Sequence, residues 1–391
     1  MDRRLKTLVV IDNLHTGGVA TSLYNYLKYT CQYLDCDLLV FNEDSVDYNR
    51  LPQGVNILKP QRILHILGKN QQEMKKESFF LALLRGMLFL FSRIFNGVAA
   101  RNLLLPFVKK IGEYDYSVAY AQDDGWKSLS KGCIDFVVKK VNSRRKAVVV
   151  HCDYKNFGGY HPRQINTFKC LDFIICVSKS CRMSFLDCFP SLCDSTIVCE
   201  NFTDIDTIKN QAGLGETGDN TCVNFVTVCR ISKVKGLERV VTALKKIVDE
   251  GYTGLRWVIV GDGPEKNTLY ERINELGLNS FVSFAGERLN PYPFIKEADW
   301  FVLPSYHEAA PMVYGESVAL KVPVLSTETC SAKELIEDRG WGIVVDNSEQ
   351  GLYDGLKDII SRRKRDFVIK VSNVNEFAIA QFDSFIKRIT D

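Results

Sequence analysis

Short apolar runs alternate with helical patterns along the whole chain. In the first half these runs cover residues 7–11, 37–40, 116–120, 147–150 and 173–177. Each is short and nearly continuous, as expected of strands buried on both faces of a parallel sheet. The pattern predicts a doubly wound α/β domain with helices on both faces of the sheet.

The alternation starts again in the second half of the chain. Strand-like runs cover 223–228, 256–260, 281–284, 300–303 and 322–325, and helical patterns cover 236–250, 264–276 and 311–320. We therefore expect a first Rossmann-like domain over residues 1–203 and a second over residues 204–372.

Composition agrees with a two-domain globular protein. The chain has 391 residues, of which 46% are apolar, enough for two hydrophobic cores. A formal net charge of +3, with basic and acidic residues interspersed, argues against nucleic-acid binding. Thirteen cysteines without a C-x2-C pair favour neither disulfides nor a zinc site. Because the N-terminus also shows no signal peptide, we expect a cytoplasmic protein.

The segment from Leu303 to Glu316 carries the most specific chemical pattern. A strand-like run ends at Leu303, and Pro311 suits the first turn of a helix, where its missing N–H costs no hydrogen bond. Free amides at such a helix start favour an anionic or hydroxyl-rich ligand. The positions concerned are Ala309, Ala310, Pro311 and Met312. Glu308 and Glu316 could face that ligand from opposite ends, although two glutamates at this spacing also occur on ordinary surface helices.

This region resembles the donor-site signature of retaining glycosyltransferases of family 4, which have the GT-B fold. The resemblance rests on Glu308-x7-Glu316, on Ala298-Asp299 before it and on Ala319-Leu320-Lys321-Val322-Pro323-Val324 after it. It implies two Rossmann-like domains facing a central cleft. It also implies that Glu308 lies beside the donor sugar, as a catalytic candidate, and that Glu316 binds the ribose. A last helix, for which residues 373–391 are the candidate, should cross back to the N-terminal domain.

Two cations follow the first strand-like run of the second domain. Arg230 ends that run, and Lys235 comes just before the next helical pattern. Together they suit a diphosphate leaving group, because each charge-assisted hydrogen bond is worth about 1.5–3 kcal/mol. The matching Arg and Lys of the family hold the pyrophosphate. The alternative is a solvated basic turn that also includes Lys233.

Four further positions are candidates for donor contacts. Gly263 follows a strand-like run and precedes a helical pattern, a place that often serves a nucleotide. The resemblance places Arg288 near the base. It places Gly17 and Gly18, which have no Cβ to keep a ligand away, near the donor phosphates. This glycine pair falls short of the G-x-G-x-x-G fingerprint, which counts against an NAD enzyme.

His151 is the catalytic candidate of the first domain. It ends the run 147–150 and should lie at the carboxyl end of a strand, where it could hydrogen-bond a sugar hydroxyl or share a proton. The family has a comparable His near the reacting carbon, whereas the alternative is a histidine bonded to a loop carbonyl. Because no carboxylate stands out as a nucleophile, we favour front-face attack. No metal-ligand cluster is visible, and the resemblance implies that no metal is needed.

The most apolar segment covers residues 79–95. It is too short and too charged to span a bilayer, which takes about 20 apolar residues. On a helix, its polar face holds Ser78, Ala82, Arg85, Ser92, Arg93 and Asn96. Basic residues flank it: Lys75, Lys76, Arg101, Lys109 and Lys110. The pattern fits an in-plane helix on anionic lipid, and it fits equally a helix buried on the N-terminal sheet.

The sequence thus predicts a retaining glycosyltransferase that uses a nucleotide diphosphate sugar, with UDP or GDP as the nucleotide. Its acceptor should be a hydroxyl of a lipid-linked saccharide or glycolipid in surface polysaccharide biosynthesis. We expect it in the cytoplasm, with a membrane-surface contact through residues 75–110 on the inner face. The alternatives are a sugar-nucleotide epimerase or hydrolase of the same fold, and a non-catalytic nucleotide-binding subunit.

Overall fold

The computed structural model describes residues 4–213, 222–361, 367–369 and 373–390. The chain divides into two compact units. The first unit comprises Met1–Phe202 and Phe377–Asp391, and the second comprises Thr203–Glu376. The predicted end of the second domain at residue 372 lies outside the described residues.

The first unit is built on a seven-stranded parallel sheet. Its strands are β1 (Leu5–Ile11), β2 (Leu34–Val40), β3 (Asn56–Leu58), β4 (Ile111–Ala119), β5 (Val141–Val150), β6 (Phe173–Cys176) and β7 (Thr196–Val198). Its first eight α-helices are α1 (Gly18–Thr30), α2 (His65–Gly68), α3 (Gln71–Glu77), α4 (Phe79–Ile94), α5 (Gly97–Leu104), α6 (Cys133–Lys140), α7 (Ile165–Phe168) and α8 (Lys179–Cys188). The strand order is β3-β2-β1-β4-β5-β6-β7, so the winding reverses between β1 and β4.

Four strands of this sheet, β1, β2, β4 and β5, begin earlier than the apolar runs predict. β4 and β5 begin several residues early, and their first halves are partly exposed and polar, as at Arg144 and Arg145. β3 and β7 have three residues each and lie at the two edges of the sheet. Apolar continuity marks only strand segments buried on both faces, so it could not predict these parts.

The second unit is built on a six-stranded parallel sheet. Its strands are β8 (Val223–Val228), β9 (Leu255–Val260), β10 (Val282–Gly286), β11 (Trp300–Leu303), β12 (Val324–Thr327) and β13 (Gly342–Val345). Its α-helices are α9 (Ile205–Gln211), α10 (Leu237–Asp249), α11 (Lys266–Glu275), α12 (Tyr292–Glu297), α13 (Met312–Ala319) and α14 (Glu349–Ser361). The order β10-β9-β8-β11-β12-β13 reverses between β8 and β11. In such sheets, ligands bind at the carboxyl ends of the strands beside the reversal.

The last helix, α15 (Glu376–Thr390), packs on the first unit. The Phe382 ring lies 5.8 Å from that of Tyr26 and 5.9 Å from that of Phe202, measured between centroids. The Phe385 ring lies 5.6 Å from that of Tyr116. The predicted return of the last helix to the N-terminal domain is confirmed.

The apolar segment forms α4, and no helix in the described parts of the chain is long and apolar enough to cross a membrane. The prediction that Arg101 flanks this segment on the surface is wrong. Arg101 is buried, and its guanidinium donates to Asp123 and to Asp135 at 2.6 Å each. Two carboxylates hold the guanidinium, so Arg101 is a core ion-pair residue.

Candidate functional site

The loops that follow the strands of the second sheet are tied to one another. The Ile231 N–H, after β8, donates to the Asp262 carbonyl after β9 at 2.8 Å. The Tyr306 N–H, after β11, donates to the Val234 carbonyl at 2.8 Å. The carboxyl edge of the sheet is therefore one connected surface, and it carries most of the predicted donor residues.

Lys235 and Glu308 form an ion pair that joins the two loops at the strand reversal. The Lys235 Nζ lies 2.5 Å from the Glu308 Oε1, and the Ser305 Oγ donates to the same oxygen at 2.7 Å. The Lys235 and Glu308 side chains are 23% and 12% exposed, so solvent screens the pair only partly. Both bonds use Oε1, and no described residue hydrogen-bonds the Glu308 Oε2.

Arg230 lies on the same loop as Lys235 and is exposed. Its side chain makes no hydrogen bond or ion pair with the described residues. Arg230, Lys235 and Glu308 together carry one excess positive charge, because the carboxylate balances only one of the two cations. The group therefore suits an anionic ligand that also presents a hydroxyl to Glu308.

The helix after β11 begins one residue later than the predicted start at 311. α13 runs from Met312, and Pro311 occupies the N-cap position just before the helix rather than its first turn. No side chain caps the helix start, and Ala309 and Ala310 are half-buried on the entering loop. Met312 is buried, so its backbone rather than its side chain is available at this end.

Glu316 lies on the second turn of α13 and is buried, with 8% of its surface exposed. A carboxylate so deeply placed needs hydrogen-bond donors. The ribose contact implied by the family resemblance stays a prediction.

Gly263 is a glycine for a reason that the sequence does not reveal. A Cβ at Gly263 would lie 2.2 Å from the Ile231 carbonyl oxygen, and one at Gly261 would lie 1.9 Å from that of Cys229. The close approach of the loops after β8 and β9 therefore requires both glycines. A donor contact at Gly263 remains a prediction beside this structural role.

Arg288 follows β10 and is exposed, with its guanidinium 5.9 Å from the centre of the Phe294 ring. This places it on the same edge of the second sheet as Arg230, three strands along from β11. A contact with a nucleotide base remains a prediction for Arg288.

Arg239, which the sequence analysis missed, holds the loop before Glu308. Its guanidinium donates to the Pro304 carbonyl and, at 2.7 Å, to the Asn347 Oδ1. It also lies 3.8 Å from the centre of the Tyr306 ring. The available signal was an arginine in register with Ala243 and Ile247 on the buried face of α10.

His151 lies at the carboxyl edge of the first sheet, after β5. Its Nε2 is 3.1 Å from the Tyr120 carbonyl oxygen. Because a carbonyl only accepts, Nε2 carries the hydrogen and Nδ1 keeps a lone pair. Burial lowers the pKa of His151 to about 4, so the ring is neutral at pH 7. The loop-carbonyl contact of the alternative interpretation is present, and it leaves Nδ1 as an acceptor.

Asp12, also missed, follows β1 at the reversal of the first sheet. It is buried, and its Oδ2 accepts from the Asn13 Nδ2 at 2.5 Å. Burial raises the pKa of Asp12 to about 6, while the positive charge of Lys131 opposes that rise. The available signal was an aspartate placed directly after an apolar run.

Gly17 and Gly18 lie beyond Asp12, exposed at the start of α1. Gly17 has an extended backbone, and a Cβ there would meet only the His15 carbonyl oxygen at 3.9 Å. The fold of the first unit therefore does not require a glycine at Gly17. Close approach of a ligand remains a reason for it.

Two surface cavities lie at the amino ends of the strands, opposite these residues. One of about 670 Å³ is lined by residues such as Lys6 and Asn142, and one of about 400 Å³ by residues such as Asn224 and Arg256. Parallel sheets bind ligands at the other end, so we assign no function to either cavity. Among the described residues, no group of three or more His, Cys, Asp or Glu side chains could hold a metal ion.

Most of the second unit matches a known protein family. Residues 216–377 match the family model of glycosyl transferases group 1. The matched region contains Arg230, Lys235, Glu308 and Glu316, and thus both loops at the strand reversal.

Curated relatives share parts of the chain. It is 26% identical over 208 residues to the lipopolysaccharide core biosynthesis glycosyltransferase LpsE of Rhizobium meliloti, covering 52% of this chain and 58% of LpsE. It is 30% identical over 142 residues to the N-acetylgalactosamine-N,N'-diacetylbacillosaminyl-diphospho-undecaprenol 4-alpha-N-acetylgalactosaminyltransferase of Campylobacter jejuni, covering 36% of this chain and 38% of that enzyme. The chain thus spans only about two to three fifths of the length of these relatives.

Solved structures match the whole chain. Anabaena Alr3699/HepE, in complex with UDP and glucose, superposes with a TM-score of 0.64 at 16% identity, covering 99% of this chain and 98% of HepE. TarM superposes with a TM-score of 0.68 at 11% identity, covering 100% of this chain and 99% of TarM. The predicted GT-B fold with its two Rossmann-like domains is confirmed.

Proposed function

We propose that this protein is a glycosyltransferase that moves a sugar from a nucleotide diphosphate sugar to an acceptor hydroxyl. The observation that carries the proposal is the Lys235–Glu308 ion pair, which lies at the strand reversal of the matched unit with the exposed Arg230 on the same loop. Arg230 and Lys235 supply cations for a diphosphate, and Glu308 supplies a carboxylate oxygen for a sugar hydroxyl. All three residues lie on one connected surface.

The donor residues take the roles that the resemblance implies. Arg230 and Lys235 bind the diphosphate, Glu308 the sugar and Glu316 the ribose. The start of α13 at Met312 adds partial positive charge. A UDP- or GDP-sugar suits this set, and the complex of HepE with UDP and glucose supports a uridine donor. Assignment to family 4 is part of the proposal.

The reaction that we propose retains configuration by front-face attack. The acceptor oxygen bonds to the anomeric carbon while the bond from that carbon to the diphosphate oxygen breaks. The acceptor proton passes to the departing phosphate oxygen, which leaves a glycoside and a nucleoside diphosphate. Arg230 and Lys235 stabilise the charge that develops on the leaving group. The neutral His151 accepts a hydrogen bond from a sugar hydroxyl through Nδ1.

We infer that the acceptor is a lipid-linked saccharide or glycolipid of surface polysaccharide biosynthesis. The names of two relatives support this: one acts in lipopolysaccharide core biosynthesis, and the other is named for a diphospho-undecaprenol acceptor. Such an acceptor would bring the protein to the inner face of the membrane, in contact through residues 75–110.

The proposal is tested by incubating the full chain with UDP-, GDP-, ADP- and CMP-sugars, with and without a lipid extract as acceptor. Release of one nucleoside diphosphate that depends on the extract is the expected result. Free or epimerised sugar formed without acceptor would favour the hydrolase or epimerase. Nucleotide binding without turnover of any donor would favour the non-catalytic subunit.

A further inference from the structure

Helix α4 turns its apolar side outward. The exposed residues follow a helical stripe with spacings of three and four: Phe80 (79% exposed), Leu83 (53%), Met87 (54%), Leu90 (64%) and Ile94 (73%). Phe79, Phe95, Leu103 and Phe107 extend the same kind of surface and are more than half exposed. We call these nine residues the apolar face.

The inward side of α4 carries little apolar surface. Its buried residues are Ala82, Leu88 and Ser92, and Arg85 donates to the Lys69 carbonyl at 2.9 Å and to the Gln71 Oε1 at 3.3 Å. An amphipathic helix of a soluble domain normally buries its apolar stripe instead. Of the two alternatives that the sequence left open, burial on the sheet of the first unit is therefore wrong.

The segment that carries the apolar face exposes only positive charge. The exposed charged residues of 71–110 are Lys75, Lys76, Arg93, Lys109 and Lys110. Residues 71–110 contain two acids, Glu73 and Glu77. Glu77 is paired with Lys69 at 2.8 Å, and Glu73 accepts from the Asn70 N–H at 2.7 Å. The acids are thus engaged within the protein, and the exposed charge is basic.

We propose that the apolar face docks α4 in the plane of a bilayer that contains anionic lipid. The nine side chains enter the boundary between headgroups and acyl chains, and the five exposed cations meet lipid phosphates. A second copy of this chain is a poorer occupant, because pairing two such faces would bring like charges together. Docking itself does not depend on the proposed function. Only its purpose, which is to reach a lipid-linked acceptor, rests on that function.

The test is sedimentation of the full chain with vesicles of phosphatidylcholine alone or with about one third phosphatidylglycerol. The wild type should bind the anionic vesicles, and Phe80→Gln/Leu90→Gln should bind them at least about tenfold more weakly, because two exposed apolar side chains no longer enter the lipid. Met183→Gln, at an exposed apolar residue of α8, is the matched control and should bind like wild type. Lys75→Gln/Lys76→Gln should weaken binding to the anionic vesicles alone.

Equal binding by Phe80→Gln/Leu90→Gln and wild type, or no binding by wild type at low salt, would overturn the proposal. The proposal would also be overturned if wild type bound no vesicles and instead formed a dimer in sedimentation velocity that Phe80→Gln/Leu90→Gln makes monomeric. Binding of nucleoside diphosphate should be the same in this variant and in wild type, because Arg230 and Lys235 lie in the second unit. A failed donor assay with intact vesicle binding would instead count against the proposed transferase.

Discussion

At the scale of single residues, the candidate site depends on one carboxylate whose surroundings are fixed. Glu308 receives bonds from Lys235 and Ser305 on a single oxygen, so its second oxygen points to a role outside the protein's own network. The charge that a donor meets therefore depends on Glu308 as well as on Arg230 and Lys235.

Replacing Glu308 by Gln keeps an oxygen for Ser305 but removes the charge that balances Lys235. We expect donor turnover to fall about a hundredfold, as when a positioned polar group at a reacting centre is lost. The Kd of a nucleoside diphosphate should not rise, because Lys235 is then free to meet phosphate. Turnover assays and calorimetric titration measure the two quantities.

Glu271→Gln, at an exposed acid on α11, is the control and should change neither quantity. Equal weakening of binding and turnover in Glu308→Gln would mean that the substitution disrupts the loop, and would count against the role of the carboxylate.

His151 makes stability depend on pH in a defined direction. Its pKa is about 4 in the folded protein, below the ordinary 6.5, so the unfolded chain binds the proton between these values. The free energy of unfolding therefore falls as the pH drops from 6.5 towards 4. His151→Gln should lose this part of the dependence, on the order of 2 kcal/mol between pH 7 and 4.5.

Urea unfolding of wild type and His151→Gln at both pH values measures this difference. Asp12 acts in the opposite direction, because its raised pKa of about 6 lets the folded protein hold the extra proton. It is present in both proteins and cancels in the comparison. An unchanged difference between the two proteins at pH 7 and 4.5 would show that the His151 pKa is not lowered.

The sequence allowed the site residues to be named but not their pairing. Arg230, Lys235 and Glu308 stand out because each follows an apolar run that ends in a loop. The bond between Lys235 and Glu308 joins residues 73 positions apart, and only the reversal of strand order brings their loops together. Burial of Asp12 likewise depends on contacts that no local pattern records.

At the scale of elements, Gly236 connects the loop after β8 to α10. Its φ is +62°, and a Cβ there would lie 2.3 Å from the Pro304 carbonyl oxygen. Gly236→Ala should destabilise the second unit by about 3 kcal/mol and lower turnover, because Pro304 precedes the loop that carries Glu308.

Gly277→Ala is the matched control, since Gly277 has a φ of +68° and nothing within 4 Å of an added Cβ. It should cost only about 1 kcal/mol, the price of the left-handed backbone, and leave turnover unchanged. Urea unfolding and donor turnover distinguish the two variants. Equal losses in both would contradict the close contact at Pro304.

Helix α4 shows what periodicity can and cannot predict. The spacing of its residues predicts one polar and one apolar side, and the helix has both. Which side turns inward depends on partners outside the helix, here the Lys69 carbonyl and Gln71 that receive Arg85. The edge strands β3 and β7 escaped prediction for a related reason, because a three-residue strand carries too little pattern.

At the scale of the whole molecule, the two-domain α/β architecture was predictable because the central strands of both sheets are buried on both faces. Val9 and Val10 of β1 are fully buried, as are Phe301 and Val302 of β11. The return of α15 to the first unit was implied by family resemblance rather than by its own pattern. An amphipathic last helix could pack on either unit, and its ring contacts with Tyr26 and Tyr116 decide between them.

Arg230 is central to the proposed transfer because it binds the leaving diphosphate. The most direct measurement is kcat/KM for transfer from the active nucleotide sugar by wild type, Arg230→Ala and Lys233→Ala. Lys233 is an exposed cation on the same loop and serves as the matched control. We predict a loss of about ten- to hundredfold for Arg230→Ala, as expected when a charge-assisted bond of about 1.5–3 kcal/mol is removed. Lys233→Ala should match wild type. Equal losses in the two variants, or none in Arg230→Ala, would contradict the account, because a solvated basic turn would then explain the loop.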